Sequence, residues 1–594
     1  MNKAMKIKHI PCGAAVLLIA LFSATALRAG DILERTISVH FDKTPLKEAL
    51  AEISRQGGFQ WTYNAGILDE GRRVTHVADG ATVREVLLDM LGDAYTFKQN
   101  GDYLILKKRK KPVRQMGGYI SDRETGQRMA NVTVYDRQSL RSVVTDKNGY
   151  YEIPVTEGSE IVVSRLAYRD TLLRVNQQTP RLVKLELYTD SLPKSATPSF
   201  RETMDRMAVR MEQFWVGSSQ KLSTINVRDS LHRYVQVSLL PGIGTNQRLS
   251  GSVTNDWSFN ILAGYSRSNR IFEIAGLGNI NREDVSGLQS AGLFNIVGGN
   301  VTGLQMAGLF NNQGGNLTGL QSAGVYNYTG GAVKGVQFGG VLNIAAQGRG
   351  AVQAAGVLNL VPKGEASVQF SGVFNHAHIA SAFQAAGVVN SADSLRGCQV
   401  SGVFNRAGYV RGAQIGLINF AREVHGVQIG LINYSRHGGY MVLEAGTNDV
   451  LPANAAFKSG VPALYTILSA GTDPEGASDR RLWAYGIGIG SRVAVSNWFG
   501  LSFDLLHRHL NEGAHADFVQ EWEQLAVMPD IKLGKHLSIA GGPSINLLIT
   551  DPDRASATSI RDRIVTRDLL DSSNNADGWL SAWWGWNAAL RVRF

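Results

Sequence analysis

A short motif, Gly-Leu-Gln-x-Ala-Gly-Leu-Phe-Asn, recurs through the middle of this chain and narrows its folds to two kinds. Its Gln–Asn pairs are Gln289 and Asn295, Gln305 and Asn311, Gln321 and Asn327, Gln337 and Asn343, Gln353 and Asn359, and Gln369 and Asn375. The asparagine continues at 390, 405, 419 and 433, and Asn279 begins the series one step earlier. Steps are sixteen residues, then fifteen, then fourteen, and a glycine stands three residues before every asparagine from Asn295 onward. A fixed period of this kind marks a repeat architecture. Each unit could be one coil of a β-solenoid, where stacked Asn and Gln form amide ladders and Gly and Ala let coils approach. It could instead be one bilayer-crossing strand of about eleven residues plus a turn, widening a single barrel. Amides held at one register favour stacking, because alternate barrel strands would place them at opposite rims. The shortening of the step suits a barrel better.

The last residues carry a second period. Phe594, Val592, Leu590, Ala588, Trp586 and Trp584 fall on one face of a strand, and Arg593, Arg591, Ala589, Asn587 and Gly585 on the other. About 9–11 residues suffice for a tilted strand to cross a bilayer. Arginines on one face are tolerable there only if that face looks into a lumen. The ending resembles the C-terminal signature of bacterial outer-membrane β-barrels. That resemblance implies barrel closure at Phe594, outer-membrane lipid around the wall, and recognition by the barrel assembly machinery.

The amino terminus agrees with export. Lys3, Lys6 and Lys8 precede an apolar run from Ala14 to Leu27, followed by Ala24, Ala26, Ala29 and Gly30 as small residues around a cleavage site after Ala26 or Ala29. Cys12 would leave with that peptide, so Cys398 remains and no internal disulfide can form. At 594 residues the chain has room for several domains. Its 65 glycines against 15 prolines fit turns and tight coil stacking better than disorder. Part of the net charge of +10 sits in the Lys107–Lys111 run. In an exported chain this reads as a solvated linker or contact with anionic surfaces, not nucleic-acid binding.

From Thr36 to Leu106 strand and helix patterns alternate. Ile37, Val39 and Phe41 alternate as a strand; Leu46, Ala49, Leu50 and Ile53 recur at helical spacing, with Thr44 as expected N-cap and Pro45 at the first helical position. Gly57-Gly58 stops that helix, and Phe59, Trp61 and Tyr63 form a strand. After Val74, Thr82 caps a helix on Val83, Val86, Leu87, Met90 and Leu91, and a hairpin turns at Asn100-Gly101. Phe41-Asp42, Pro45-Leu46, Ala49-Leu50, Gly57, Tyr63, Val74, Val83, Glu85–Leu87 and Leu91 resemble the secretin and TonB N-terminal short domain. The resemblance implies a periplasmic location and, as in transducing receptors, contact with an inner-membrane anti-sigma factor. Val113 to about Tyr188 reads as strands and turns, with Asp146-Lys147-Asn148-Gly149-Tyr150 and Ala167-Tyr168-Arg169. These elements resemble the carboxypeptidase regulatory-like β-sandwich, which implies no peptidase, and no zinc-protease motif is present. No receptor plug follows. Residues Thr189–Arg233 read as a Ser/Pro/Thr linker with one amphipathic helix, Phe200–Phe214.

Trp257 to Tyr265, Trp483 to Ile489, Trp498 to Leu505, Leu525 to Leu533 and Leu537 to Ile549 share the alternation of the last strand. With others they suggest roughly eight to ten barrel strands outside the repeat. Asp504, His507, His509 and His515 are the candidate residues for acid–base or nucleophilic chemistry. On a strand Asp504 faces opposite to the two histidines, so no acid–base pair follows. Asp551, Asp553 and the Asp571–Asp577 segment read as extracellular loops without EF-hand spacing.

The expected fold is multidomain. It comprises a signal peptide (1–29), a small α/β domain (31–108), a β-sandwich (113–190), a linker (191–230) and a mostly antiparallel transmembrane β-barrel (231–594) containing repeats 275–435. The expected role is non-enzymatic and cofactor-free, in the outer membrane of a Gram-negative bacterium. Residues 31–190 would act as a periplasmic interaction or signalling head. Pore or uptake component and barrel hydrolase are the alternatives. The repeat unit also resembles a family of bacterial surface-repeat proteins.

Overall fold

The computed structural model describes residues 31–64, 66–109, 112–176, 182–185, 209–227, 229–475, 481–513, 520–550 and 580–594. The export segment, His515, Asp551, Asp553 and the Asp571–Asp577 segment lie outside them, as do residues 191–208 of the expected linker. The chain divides into two compact units, between Arg114 and Gln115.

In the first unit the strand Thr36–Pro45 pairs antiparallel with Arg73–Thr82, and Gln60–Thr62, Tyr103–Lys108 and Tyr95–Asn100 form a second sheet. The helix Leu46–Gly57 buries Leu46, Ala49, Leu50 and Ile53, while Val83–Leu91 buries Val83, Val86, Leu87, Met90 and Leu91. Thr82 and Glu85 close a capping box. Pro45, not Thr44, occupies the first helix's N-cap position, because Thr44 and Pro45 are still paired with Val74 and Arg73. Gly58, at φ 65°, ends that helix in the left-handed conformation.

The second unit begins with two small sheets facing each other across a core of Ile120, Val132, Val134, Tyr151, Ile153, Ile161 and Val163. Residues 209–215 and Ser218–Asn226 are helical. The latter part of the expected linker is therefore packed: Asn226 donates to the Asn131 carbonyl and to Thr133, and Asp229 receives Tyr135 and Arg137.

Leu231 to His437 then forms one 22-stranded sheet of overwhelmingly parallel pairings, wound as a solenoid-like stack. Asn295 pairs with Asn311, Asn311 with Asn327, and Gln289 with Gln305, in register. The repeats thus stack and do not widen the barrel, and Val253–Asn260, whose alternation reads like a barrel strand, pairs parallel inside this stack. The shortened steps fall in corners. The pairing Val361↔Ala377 gives way to Glu365↔Ile379 and then Val368↔Phe383, while Asn359↔Asn375 and Gln369↔Gln384 stay matched. At each glycine three residues before an asparagine, from Gly292 to Gly402, a Cβ would collide with the carbonyl of the corresponding glycine one coil earlier. Only glycine permits that approach.

Tyr440–Asn448 to Leu580–Arg593 form a closed antiparallel barrel of eight strands. The barrel therefore begins at Tyr440, not at 231. Tight connections at 462–463, 495–498 and 533–536 share one end with both barrel termini.

Candidate functional site

The barrel presents two opposed surfaces because its strands alternate. Outward lie Leu443, Tyr485, Ile487, Ile489, Phe503, Leu505, Ile545, Trp584, Trp586 and Leu590, all exposed. The first and last strands close the wall with Leu443 opposite Val592 and Ala445 opposite Leu590. Phe594 follows, its amide donating to the Met441 carbonyl at 3.1 Å and its ring exposed.

Inward, eight strands leave room for side chains and little else. Lys458 Nζ lies 2.7 Å from both Glu444 Oε2 and Asp504 Oδ2. Arg591 Nε donates to Glu444 at 2.6 Å and its Nη1 to Ser502 at 3.0 Å. Arg492 grips Asp530 with two bonds of 2.8 and 3.0 Å, and Arg593 reaches the same carboxylate. Tyr465 donates to Asp504 at 2.5 Å. Toward the opposite end Leu451, Leu482, Leu510, Trp522, Leu548 and Trp583 pack together. Arg591, Asp530 and Trp522 are all 0 % exposed, so side chains fill the lumen.

The histidines sit elsewhere. His507 and His509 point outward, beside Tyr485, where Nδ1 of His507 meets Glu523 at 2.5 Å and Nδ1 of His509 meets Glu521 at 3.0 Å. Asp504 is on the lumen side, as strand alternation dictates. Glu521 and Glu523 were missed as their partners, since facing strands cannot be paired from spacing alone. No cluster among the described residues has the make-up to hold a metal ion.

The ladder residues stand inside the stack. Asn295 donates to Asn311 at 2.9 Å, Asn311 to Asn327 at 2.9 Å, Asn327 to Asn343 at 2.8 Å, Asn343 to Asn359 and Asn359 to Asn375 at 2.9 Å each. Gln305 donates to Gln289 at 2.8 Å, Gln321 to Gln305 at 2.7 Å, Gln337 to Gln321 and Gln353 to Gln337 at 2.8 Å, and Gln369 to Gln353 at 2.9 Å. The asparagines pass hydrogen bonds toward the carboxyl end and the glutamines toward the amino end. Each ladder ends on an acceptor. Asn433 donates to the Ser459 carbonyl of the barrel at 3.0 Å, and Gln289 to the carboxylate of Glu273 at 2.8 Å. Glu273 occupies the glutamine register one coil before Gln289. Burial pushes its carboxyl above the ordinary range, against hydrogen bonds from Gln289, Asn281, Asn260 and Ser258 that favour the charged form. Sequence reasoning overlooked it, although counting sixteen back from Gln289 reaches it.

No protein-family model, no curated protein and no solved structure matches the chain.

Proposed function

We propose that the Tyr440–Arg593 barrel anchors this chain in an outer membrane and that residues 31–190 form a periplasmic, non-enzymatic interaction head. The carrying observation is the pairing of an outer wall, apolar apart from the His507–Glu523 and His509–Glu521 pairs, with a lumen full of ion pairs. In water that wall would be a cost; in hydrocarbon it is the favoured surface, and the charged lumen is the tolerated interior. Export through the 1–29 segment and handling of Phe594 by the barrel assembly machinery belong to this reading. The resemblance of 31–108 to the secretin and TonB short domain supports an inner-membrane or periplasmic protein as its partner. The filled lumen speaks against solute conduction.

Fractionation of cells expressing the full chain tests the anchor. The protein should stay in the membrane pellet through high salt, leave it in detergent, and change gel mobility on heating in SDS. Recovery in the soluble fraction without detergent would sink the membrane assignment. Photo-crosslinking from exposed head positions such as Val77 tests the partner, and failure to trap any envelope protein would remove the signalling role.

A further inference from the structure

In every repeat unit, no charged residue stands between the glutamine and the asparagine of the ladder. The structure turns this stretch into one continuous outer face. One column of the stack runs through Val235, Trp257, Phe272, Leu288 and Leu304 and on to Val427. A second runs from Val237 through Phe259, Met306, Phe338 and Phe370 to Ile429, with Ser290 and Ser322 as its hydroxyls. A third, at the corner that a glycine precedes from Leu277 onward, is leucine or valine in every coil from Leu239 to Leu431. None of the three contains a charge, and most rungs of the third are about 40 % exposed, as at Leu309, Val357 and Leu417. With coils about 4.8 Å apart the face covers on the order of 1,000 Å². That exceeds the few hundred Å² a soluble monomer ordinarily leaves bare.

Two further features say what covers it. At the carboxyl end the face runs into the barrel's outer wall. Leu417, Ile429 and Leu431 share one groove with Leu468, Ile487 and Leu505, which the paired His507 and Glu523 also line. Asn433, Ser459, Thr466 and Gly430 lock the two parts together there by hydrogen bonds. Meanwhile the charges of the later coils gather on the return side, between an asparagine and the next glutamine, with bases in excess: Lys334, Arg349, Lys363, Arg396, Arg406, Arg411 and Arg422 against Glu365, Asp393 and Glu423. An apolar face flanked by bases matches acyl chains beside anionic headgroups.

We propose that the stack is itself a membrane-lying element, its Gln-to-Asn face seated in the acyl chains of the leaflet that the barrel's short-turn end reaches. The junction at Ser459 and Thr466 adjoins the tight 462–463 connection. Short turns of such barrels lie on the periplasmic side. The leaflet is therefore the periplasmic one, made of phospholipid. This rests on the membrane reading of the barrel.

The test uses the full chain, with Cys398→Ser, reconstituted into vesicles of phosphatidylethanolamine and phosphatidylglycerol. Single cysteines at Val341, Val373, Leu505 or Arg349 carry a bimane label, and acyl-chain doxyl lipid is the quencher. Only protein whose barrel shows heat-modifiable mobility in SDS is read. Expected is several-fold stronger quenching at Val341→Cys, Val373→Cys and Leu505→Cys than at Arg349→Cys. Quenching at Leu505→Cys with none at Val341→Cys or Val373→Cys overturns the proposal and leaves the anchored barrel standing. No quenching at any position overturns the membrane reading itself. Oxidative dimerisation through Val341→Cys, without quenching, would make a second copy the occupant and overturn the lipid assignment.

Discussion

Each ladder asparagine uses its whole amide inside the stack. Asn343 accepts from Asn327, and its Nδ2 donates both to Asn359 and to the Ala354 carbonyl at 2.8 Å. Asn343→Ala strands a donor on Asn327 and an acceptor on Asn359, and a buried unsatisfied group costs about 1–3 kcal/mol. The stack's calorimetric transition should fall well below that of Val341→Ala, an exposed neighbour one coil corner away. Equal shifts would mean the ladder contributes shape and not hydrogen bonding. Glu273 makes the complementary case. Its carboxyl is raised in the folded state, so its contribution is favourable below the unfolded carboxyl value and is lost as pH rises through the folded one. Glu273→Gln keeps the acceptor for Gln289 without a buried charge. It should raise the transition temperature at neutral pH and flatten its dependence above the ordinary carboxyl value. An unchanged pH profile would show that another group sets it. The ladder is legible in sequence because, in a parallel in-register stack, a side chain must meet its own kind in every coil. Glu273 was not, because the end of a ladder is where the repeat stops repeating.

At the scale of elements, period two tells which side chains share a face and nothing about the neighbouring strand. Trp257, Phe259, Ile261 and Tyr265 therefore read like a barrel strand, while pairing assigns Val253–Asn260 to a parallel stack. The last strand, with the same period, does sit in the barrel, and its arginines face inward. Length variation misled for a related reason. A coil can lose residues at a corner provided its amide columns keep register, and Ala413↔Val427 beside Asn405↔Asn419 shows a fourteen-residue coil doing so. The glycine corner has no such freedom. A Cβ at Gly356 would press on the Gly340 carbonyl, which neither strand can move without breaking the Val357-to-Val341 hydrogen bond of 2.9 Å. Gly356→Ala should destabilise the stack by about 1–3 kcal/mol or more, the range for forced overpacking. The same substitution at Gly534, with nothing within 4 Å, should be near neutral. Thermal unfolding of the two variants side by side decides it.

At the scale of the molecule, a stack needs both its open ends covered, since an unpaired parallel edge is a template for further strands. In the second unit the sandwich covers one end, with Tyr135, Leu140 and Val162 packed on Val227, Leu231, Leu249 and Val253. The barrel covers the other, Val461 joining the aliphatic core column that includes Val424. The barrel can serve as a rigid terminus because its interior is occupied. Two acidic side chains, Glu444 and Asp504, share Lys458 and Arg591, and Asp530 holds Arg492 and Arg593. Such a network opposes conduction, since an ion passing through would have to break contacts of 2.6 to 2.8 Å among largely buried charges. Planar bilayers holding the purified chain should therefore show no steady channel currents, and open-channel steps would refute a closed lumen. Arg591→Met probes the same network from inside. It leaves Glu444 and Asp504 to share Lys458 alone, and breaking a buried pair by removing one partner costs about 3–5 kcal/mol. The barrel should then lose its heat-resistant gel mobility at a distinctly lower temperature, while Arg349→Met, on the solvated side of the stack, leaves that temperature where it was.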